Sequence, residues 1–273
     1  VILFHLNINF FQGGKIGIDI FFVLSGYLIT TVILNKGNNF NINLFWINRA
    51  RRIMPLLLFI ILATIPFALY MMVPNALRNF AQSVFLTPLF LSNMLFWLES
   101  GYWDLPSQMK PLLHTWSIAI EGQFYILFPL IFLIKTRNKI LLIIFLIWIS
   151  SVMAAIFNNS QILIIQTDKF LSLADHFMPF GRWWELMTGS FAAFILQNKN
   201  SVKLKYHNLL SIIGLSLIFY SIFSFNNNHT LPGLLSLIPV LGTFLTIVYS
   251  NKRNFTYKFL NLKILDHVGK ISY

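Results

Sequence analysis

Residues 53–73 read IMPLLLFIILATIPFALYMMV, a stretch without a charged side chain that directly follows Arg51 and Arg52. A helix needs about 20 apolar residues to cross the hydrocarbon core of a bilayer. Other apolar stretches cover 1–8 in part, 18–34, 80–98, 117–134, 140–157, 183–196, 207–225 and 232–249. Most of them lack the alternation of a strand, and a membrane span must satisfy its own backbone. We therefore predict an all-α, polytopic transmembrane bundle of about eight to ten helices.

The composition excludes several classes of protein. Of the 273 residues, 57% are hydrophobic and only 10% are charged, against roughly 25% charged residues in soluble domains. A soluble core of this size has too few charges to cover 29 Phe and 7 Trp. The chain contains no Cys, which excludes disulfides, thiolate zinc sites and a cysteine nucleophile, and we predict no metal site. We interpret the net charge of +12 as a signal of topology, not of binding to nucleic acid.

The basic residues orient the predicted helices. Most Lys and Arg residues fall within residues 35–52, 135–139, 199–205 and 252–270, which the positive-inside rule places in the cytoplasm. An even number of crossings must then separate the first two of these loops, although three apolar segments lie between them. Residues 80–98 form the weakest segment, because Thr87-Pro88 and Ser92-Asn93 interrupt it, so we predict that it is re-entrant or interfacial. The short segment 183–196 is counted as a crossing.

Both ends of the chain lead us to expect a piece of a longer protein. The chain begins with Val1 inside an apolar run, without an initiator Met or a basic leader. It stops at Tyr273, and no apolar run follows the basic stretch that ends at Lys263. We therefore expect residues 1–8 to be the outgoing end of a span that begins upstream.

Ionisable side chains inside the predicted spans are costly and ask for a functional reason. Four of them fall at one level near the outer leaflet: His5, Asp19, His114 and Glu121. Ser117 stands four residues before Glu121 and therefore shares its helix face. Two imidazoles, two carboxylates and a hydroxyl suit general-base chemistry, in which His takes the proton of an alcohol while a carboxylate orients the imidazole.

Each of these residues also has a structural interpretation. Asp19 would cap the N-terminus of its helix, where carboxylates are favoured. Glu121 would pair with an Arg, and His114 would lie at the membrane interface beside Trp116. His5 alone is uninformative because its helix is incomplete. Their shared level is the reason for preferring the catalytic interpretation.

A basic cluster marks the predicted cytoplasmic side. In the sequence Arg49-Ala-Arg51-Arg52, the arginines either anchor the chain against translocation or bind phosphate groups, for which the guanidinium fork is suited. The predicted outer side carries Asp175, His176 and the string Arg182-Trp-Trp-Glu185. Trp is an ordinary residue of the interfacial belt, so this second group is a weaker signal.

Three strings resemble a known family. They are GGKIGIDIFFVLSGYL at 13–28, FWINRARRIMP at 45–55 and KPLLHTWSIAIEGQFY at 110–125. Weaker similarity lies in PFGRWWELMTG at 179–189 and PGLLSLIPVLGT at 232–243. The chain resembles acyltransferase family 3, integral membrane proteins whose bacterial branch O-acetylates cell-surface polysaccharides. The resemblance covers the whole chain in order and implies one transmembrane acyltransferase domain over residues 1–273.

The resemblance implies roles for individual residues. The family's His that is thought to act on the acceptor hydroxyl matches His5, and the Asp of the first string matches Asp19. The Ser-x-x-x-Glu pair of the family matches Ser117 and Glu121. By this resemblance His5 is the expected base, Asp19 or Glu121 orients it, and Ser117 forms a hydrogen bond within the site. If a covalent acyl-enzyme forms, His5 or Ser117 is the candidate to carry it.

The match has two departures and one missing residue. The Arg-x-x-Arg pair of the family matches Arg49 and Arg52, but an Arg that precedes the His in the family would lie upstream of Val1. Gly122 stands where a second Glu is usual, and Asn48 stands where another Arg is common. The glycine weakens any mechanism that needs paired carboxylates.

The resemblance also implies the substrates. Acetyl-CoA is the expected donor, approaching from the cytoplasm with its phosphates held by Arg49, Arg51 and Arg52. The expected acceptor is a hydroxyl of a cell-surface or lipid-linked glycan, such as O-antigen or peptidoglycan, at the outer leaflet. We expect donor anchor and base to lie on opposite sides of a core about 30 Å thick. The bacterial cytoplasmic membrane and an appended extracytoplasmic domain are further expectations.

Two other classes of function stay open. A transporter or flippase that moves a glycan or an acyl donor without chemistry also suits polar groups at depth and broken helices. Consumption of acetyl-CoA with release of free CoA separates the enzyme from the transporter. A structural or sensing subunit predicts no loss of function on replacement of Glu121.

Overall fold

The computed structural model of the chain describes residues 1–6, 9–99, 110–159, 176–197, 207–226, 232–252 and 254–271. Within these ranges the regular structure consists of twelve α-helices and short 3₁₀ segments, without a strand. The first half contains α1 (Ile2–His5), α2 (Gly17–Lys36), α3 (Ile42–Met71), α4 (Pro74–Leu86), α5 (Ser92–Leu98) and α6 (Thr115–Ile131). The second half contains α7 (Arg137–Asn159), α8 (Trp183–Gln197), α9 (His207–Ser224), α10 (Leu237–Tyr249), α11 (Phe255–Leu260) and α12 (Lys263–Ile271). The predicted all-α fold is confirmed.

Five helical segments in the described part of the chain are long and apolar enough to cross a membrane. They are Phe10–Asn39, Ile42–Met71, Thr115–Ile134, Arg137–Ile156 and His207–Ser224. The predicted polytopic membrane protein is therefore confirmed. Within the described residues α8 has 15 residues, which is about 22 Å of helix and shorter than the core of about 30 Å. Its predicted crossing stays a prediction.

The predicted interruption of segment 80–98 is present. Helix α4 ends at Leu86, residues 87–91 form a turn, and α5 starts at Ser92. Within the turn Phe90 has a φ angle of 56°, in the left-handed region that non-glycine residues rarely adopt. Whether this broken segment re-enters the membrane stays a prediction.

Helix α3 starts eleven residues earlier than the apolar stretch that predicted it, at Ile42 instead of residue 53. Asn41 causes the early start, because its side chain accepts a hydrogen bond of 3.0 Å from the backbone N–H of Leu44 and so satisfies a free donor of the first turn. The three arginines of the basic cluster consequently lie within a helix and have fixed spacing. Hydropathy alone cannot find this start, since the first turns of the helix carry polar residues.

The chain forms two compact units. The terminal unit contains residues 1–35 and 185–273, and the central unit contains residues 36–184. The expected single domain over residues 1–273 stays a prediction. His5 and Asp19 belong to the terminal unit.

Close backbone contact between α2 and α8 organises the terminal unit. A Cβ atom added at Gly26 would lie 1.8 Å from the carbonyl oxygen of Leu186, and one added at Gly189 would lie 1.9 Å from that of Val23. A hydrogen bond of 2.9 Å from Thr30 Oγ1 to Ser190 Oγ continues the same interface. Small residues and hydroxyl pairs of this kind let helices pack tightly where lipid supplies no hydrophobic drive.

Polar side chains hold α5 and the preceding turn against α6 in the central unit. Gln123 donates from Nε2 to the carbonyl oxygen of Phe90 at 2.7 Å and to Asn93 Oδ1 at 2.9 Å. About two helical turns earlier on α6, Thr115 donates to Ser92 Oγ at 3.0 Å. Since unsatisfied polar groups are expensive in an apolar environment, these bonds fix both the position and the rotation of α6.

Candidate active site

The carboxylate of Glu121 lies inside the central unit. Glu121 is 5% exposed and occupies the middle of α6, flanked by apolar residues. Its Oε1 accepts a hydrogen bond from the hydroxyl of Tyr125, one helical turn further along. A spacing of four residues places both side chains on one face of the helix. The sequence therefore provides the buried acid with a dedicated donor on its own helix.

The backbone of Tyr125 binds a second helix. In a regular helix its carbonyl would accept from the N–H of residue 129, but Pro129 has no N–H. The indole Nε1 of Trp46 in α3 donates to this carbonyl at 3.1 Å. Because a bare carbonyl costs several kcal/mol in an apolar environment, this bond joins α3 and α6 at the level of Tyr125.

Arg49 lies on the same face of α3, one turn after Trp46. Its guanidinium carbon is 5.4 Å from the ring centre of Tyr125 and 5.4 Å from that of Phe45. Both distances are within the range of a cation–π contact. Arg49 is half-buried and contacts both rings, whereas Arg51 and Arg52 are exposed. The basic cluster thus divides into one packed arginine and two accessible ones.

These contacts place Glu121 and Arg49 close to each other. The orientation by charge placed Glu121 near the outer leaflet and Arg49 on the cytoplasmic side. In the structure one tyrosine side chain connects them, since Tyr125 contacts the guanidinium with its ring and the carboxylate with its hydroxyl. Along α6 Glu121 is only four residues, about 6 Å, from the level of the arginine. The depth of either residue in the membrane stays a prediction.

His114 and Ser117 lie at the start of α6. His114 is exposed and precedes the helix, and Ser117 is half-buried one turn before Glu121. Ser117 donates from its hydroxyl to the carbonyl oxygen of His114 at 3.2 Å, a bond that fixes the position of this hydroxyl at the helix terminus. The predicted common face of Ser117 and Glu121 agrees with their places on α6.

The terminal unit holds the other two predicted residues. The side chains of Val1 and Phe4 lie against Gly17 and Gly14, so α1 packs beside the segment that leads into α2. His5 at the end of α1 is exposed. Asp19 is 1% exposed in the first turn of α2, where a carboxylate is favourable. The meeting of this pair with Glu121 stays a prediction, because the two sets belong to different units.

Phe90 lies against Gly122, the position at which the resemblance led us to expect a second acid. The ring of Phe90 reaches within 2.3 Å of where a Cβ at Gly122 would stand. A glutamate at this position would overlap with the ring. The departure of Gly122 from the family pattern is therefore matched by an aromatic side chain from the turn before α5.

A buried arginine cluster lies elsewhere in the central unit. Arg182 is 1% exposed, its Nη2 is 2.8 Å from His176 Nδ1, and its guanidinium lies 5.6 Å from the ring centre of Trp116. Arginine is always protonated and only donates, so Nδ1 of His176 accepts and the imidazole is neutral. Asp175, which the sequence placed beside this group, lies outside the described residues.

Sequence reasoning missed the roles of Tyr125, Trp46 and Phe90. Pro129 is the one signal that was available, because a proline four residues after Tyr125 releases the carbonyl of Tyr125. The described residues hold no group of three or more His, Asp or Glu side chains arranged to bind a metal ion.

Comparison with known proteins assigns the chain to a family. The family model described as "Acyltransferase domain" matches residues 1–273. An uncharacterised protein of Haemophilus influenzae is 32% identical over 247 residues, which cover 86% of this chain and 99% of that protein. No solved structure matches the chain.

Two relatives with named activities are similar over the whole chain. The peptidoglycan O-acetyltransferase OatA of Listeria monocytogenes is 30% identical over 288 residues, and the O-acetyltransferase OatA of Staphylococcus aureus is 30% identical over 296 residues. Both alignments cover 100% of this chain but only 45% and 46% of the two relatives, so the chain spans less than half their length. Since the family model matches the full chain and five helices are long and apolar enough to span a membrane, the chain belongs to acyltransferase family 3, a family of integral membrane O-acyltransferases.

Proposed function

We propose that the full-length protein transfers an acetyl group from acetyl-CoA to a hydroxyl of a cell-surface glycan in the bacterial cytoplasmic membrane. Two relatives that are O-acetyltransferases support acetyl as the group transferred. The name of the Listeria relative makes peptidoglycan the first candidate acceptor, ahead of O-antigen or another lipid-linked glycan. The proposal includes an appended extracytoplasmic domain, because both relatives extend well beyond the aligned region.

The donor site in this proposal is the basic cluster of α3. Arg51 and Arg52 are exposed and offer guanidinium groups to the phosphates of CoA. Arg49 is half-buried and would contact the donor from its position between Phe45 and Tyr125. The thioester would then enter the protein along α6 toward Glu121.

The chemistry in this proposal is base-catalysed transfer to an alcohol. The imidazole of His5 takes the proton of the glycan hydroxyl, and the oxygen attacks the thioester carbonyl carbon. The carbon–sulfur bond breaks, and the CoA thiolate leaves and receives the proton from the imidazolium. Asp19 or Glu121 orients and charges the imidazole, and Ser117 forms a hydrogen bond within the site.

One geometric observation supports the proposal most directly. The helix that bears the proposed donor ligands and the helix that bears the buried acid are joined through Tyr125. The proposed donor arginine, Arg49, and the buried carboxylate of Glu121 therefore contact the same tyrosine side chain. This proximity favours acyl transfer over a function in which the basic cluster and Glu121 act independently.

The test uses full-length protein in liposomes with acetyl-CoA and a soluble glycan acceptor. A thiol reagent measures released CoA, and this chain adds no thiol signal because it contains no Cys. We expect His5→Ala to abolish the release of CoA. The matched control is His267→Ala, because His267 is an exposed histidine of α12. Transport of labelled glycan by the wild type without any release of CoA would contradict acyl transfer and favour the transporter.

A further inference from the structure

Three contacts meet at Tyr125, which the mechanism above does not use. Its hydroxyl donates to Glu121 Oε1, its ring faces the guanidinium of Arg49 at 5.4 Å, and its carbonyl accepts from Trp46 at 3.1 Å. Tyr125 is 4% exposed, and its hydrogen bond to Glu121 is buried. Electrostatic contacts of this kind are stronger in such surroundings than at a surface.

The contacts leave the tyrosine little freedom to move. Its backbone is held by Trp46, because Pro129 removes the usual helical donor. Its ring contacts the guanidinium of Arg49, which also contacts the ring of Phe45. The position of the hydroxyl therefore depends on the position of Arg49.

We propose that Tyr125 is a positioning residue, which orients the carboxylate of Glu121 and couples it to the occupancy of the donor site at Arg49. This inference rests on the proposed function, because it takes acetyl-CoA as the ligand of the arginines. A donor phosphate attracts Arg49, the guanidinium fixes the ring, and the hydroxyl of the ring orients the carboxylate. The carboxylate thereby adopts its working geometry when the donor is bound, without a long movement of either helix.

The first variant for the test is Tyr125→Phe in the full-length protein, assayed by release of CoA. The ring and its contact with Arg49 remain, while Glu121 loses a hydrogen bond to a charged group. We expect kcat to fall about tenfold or more, with KM for acetyl-CoA changed by less than about twofold. Tyr70→Phe is the matched control, because Tyr70 lies in α3 and is 92% exposed; it should leave both constants unchanged.

A double-mutant cycle tests the coupling itself. Arg49→Met should raise KM and also lower kcat in the wild type, because the tyrosine ring loses its partner. In the Tyr125→Phe background the same change should raise KM without a further fall in kcat. Independent, multiplicative losses of kcat would overturn the coupling, and an unchanged kcat of folded Tyr125→Phe would overturn the positioning role.

A second variant covers the case in which Tyr125→Phe does not fold. Phe45→Leu removes one wall around Arg49 and leaves Tyr125 and Glu121 intact. We expect a decrease of kcat of about two- to fivefold at unchanged yield of folded protein, and an unchanged kcat would contradict the proposal. If the wild type releases no CoA, the proposed function itself fails. If the wild type is active and the Tyr125 variants are equally active, only the role of Tyr125 fails.

Discussion

The ring of Phe90 and the missing side chain of Gly122 form one fitted pair: the nearest ring carbon stands 2.3 Å from an ideal Cβ at the glycine. Phe90 adopts its place from a left-handed backbone conformation, with φ at 56°. Such a conformation costs on the order of 1–2 kcal/mol for a non-glycine residue, and Gln123 helps to hold it through the Phe90 carbonyl.

Gly122→Ala is expected to destabilise the protein by about 1–3 kcal/mol, because the added methyl overlaps with the ring. Phe90→Gly opens the space and relieves the left-handed backbone, so the double variant should be more stable than the sum of the two single effects. Thermal unfolding in detergent measures all three. Additive effects would contradict direct contact between the two positions.

Gly26→Ala is expected to disrupt the packing of α2 on α8, since its methyl would lie 1.8 Å from a backbone oxygen that cannot move independently. We expect a loss of about 3 kcal/mol or more and a similar loss for Gly189→Ala, measured as the yield of monodisperse protein and its unfolding temperature. Gly269→Ala in α12 is the control, because no atom lies within 4 Å of its added methyl. Equal stability of Gly26→Ala and Gly269→Ala would contradict the close contact between α2 and α8.

Trp46→Phe is expected to destabilise the contact of α3 with α6 by about 1–3 kcal/mol, because the carbonyl of Tyr125 loses its donor. Pro129→Ala supplies an N–H from the helix itself, so in this background Trp46→Phe should cause a smaller loss of stability. Unfolding temperatures of the two single variants and the double variant test this compensation. An undiminished effect of Trp46→Phe in the Pro129→Ala background would mean that the indole acts through packing alone.

The three arginines should differ in kinetic behaviour. Arg51→Ala and Arg52→Ala are expected to raise KM for acetyl-CoA about three- to tenfold without loss of stability, because both side chains are exposed. Arg49→Ala should in addition lower the unfolding temperature, since it removes a guanidinium packed between two rings. Lys139→Ala, an exposed lysine at the start of α7, is the matched control for charge. A rise of KM in that control equal to the arginine effects would indicate nonspecific attraction.

Hydropathy predicted the helical membrane fold, and Thr87-Pro88 predicted the break that separates α4 from α5. The start of α3 was predicted less well. Charge placed Arg49 outside the apolar stretch, but Asn41 starts the helix early and brings the arginine against Tyr125. Contacts between helices, such as that of Trp46 with Tyr125, cannot be predicted from a hydropathy pattern.

Residue types predicted the acids and bases of the candidate site better than its supports. Glu121 stands out in an apolar helix, and its burial agrees with a functional or paired acid. Tyr125 and Phe90 do not stand out, because aromatic residues are common throughout a chain with 29 Phe and 9 Tyr. Tyr125 matters because its carbonyl has no helical donor, and Phe90 matters because Gly122 has no side chain.

The bond between the Trp46 indole and the Tyr125 carbonyl also limits how the central unit can move. Sliding α3 along α6 by a single turn would leave this backbone oxygen without its donor, which costs several kcal/mol in an apolar environment. Any motion that admits or releases a donor therefore has to rotate about this bond or displace both helices together. Pro129, inside α6, thus makes the register of α3 on α6 depend on one indole N–H, and we expect a catalytic cycle to preserve that register.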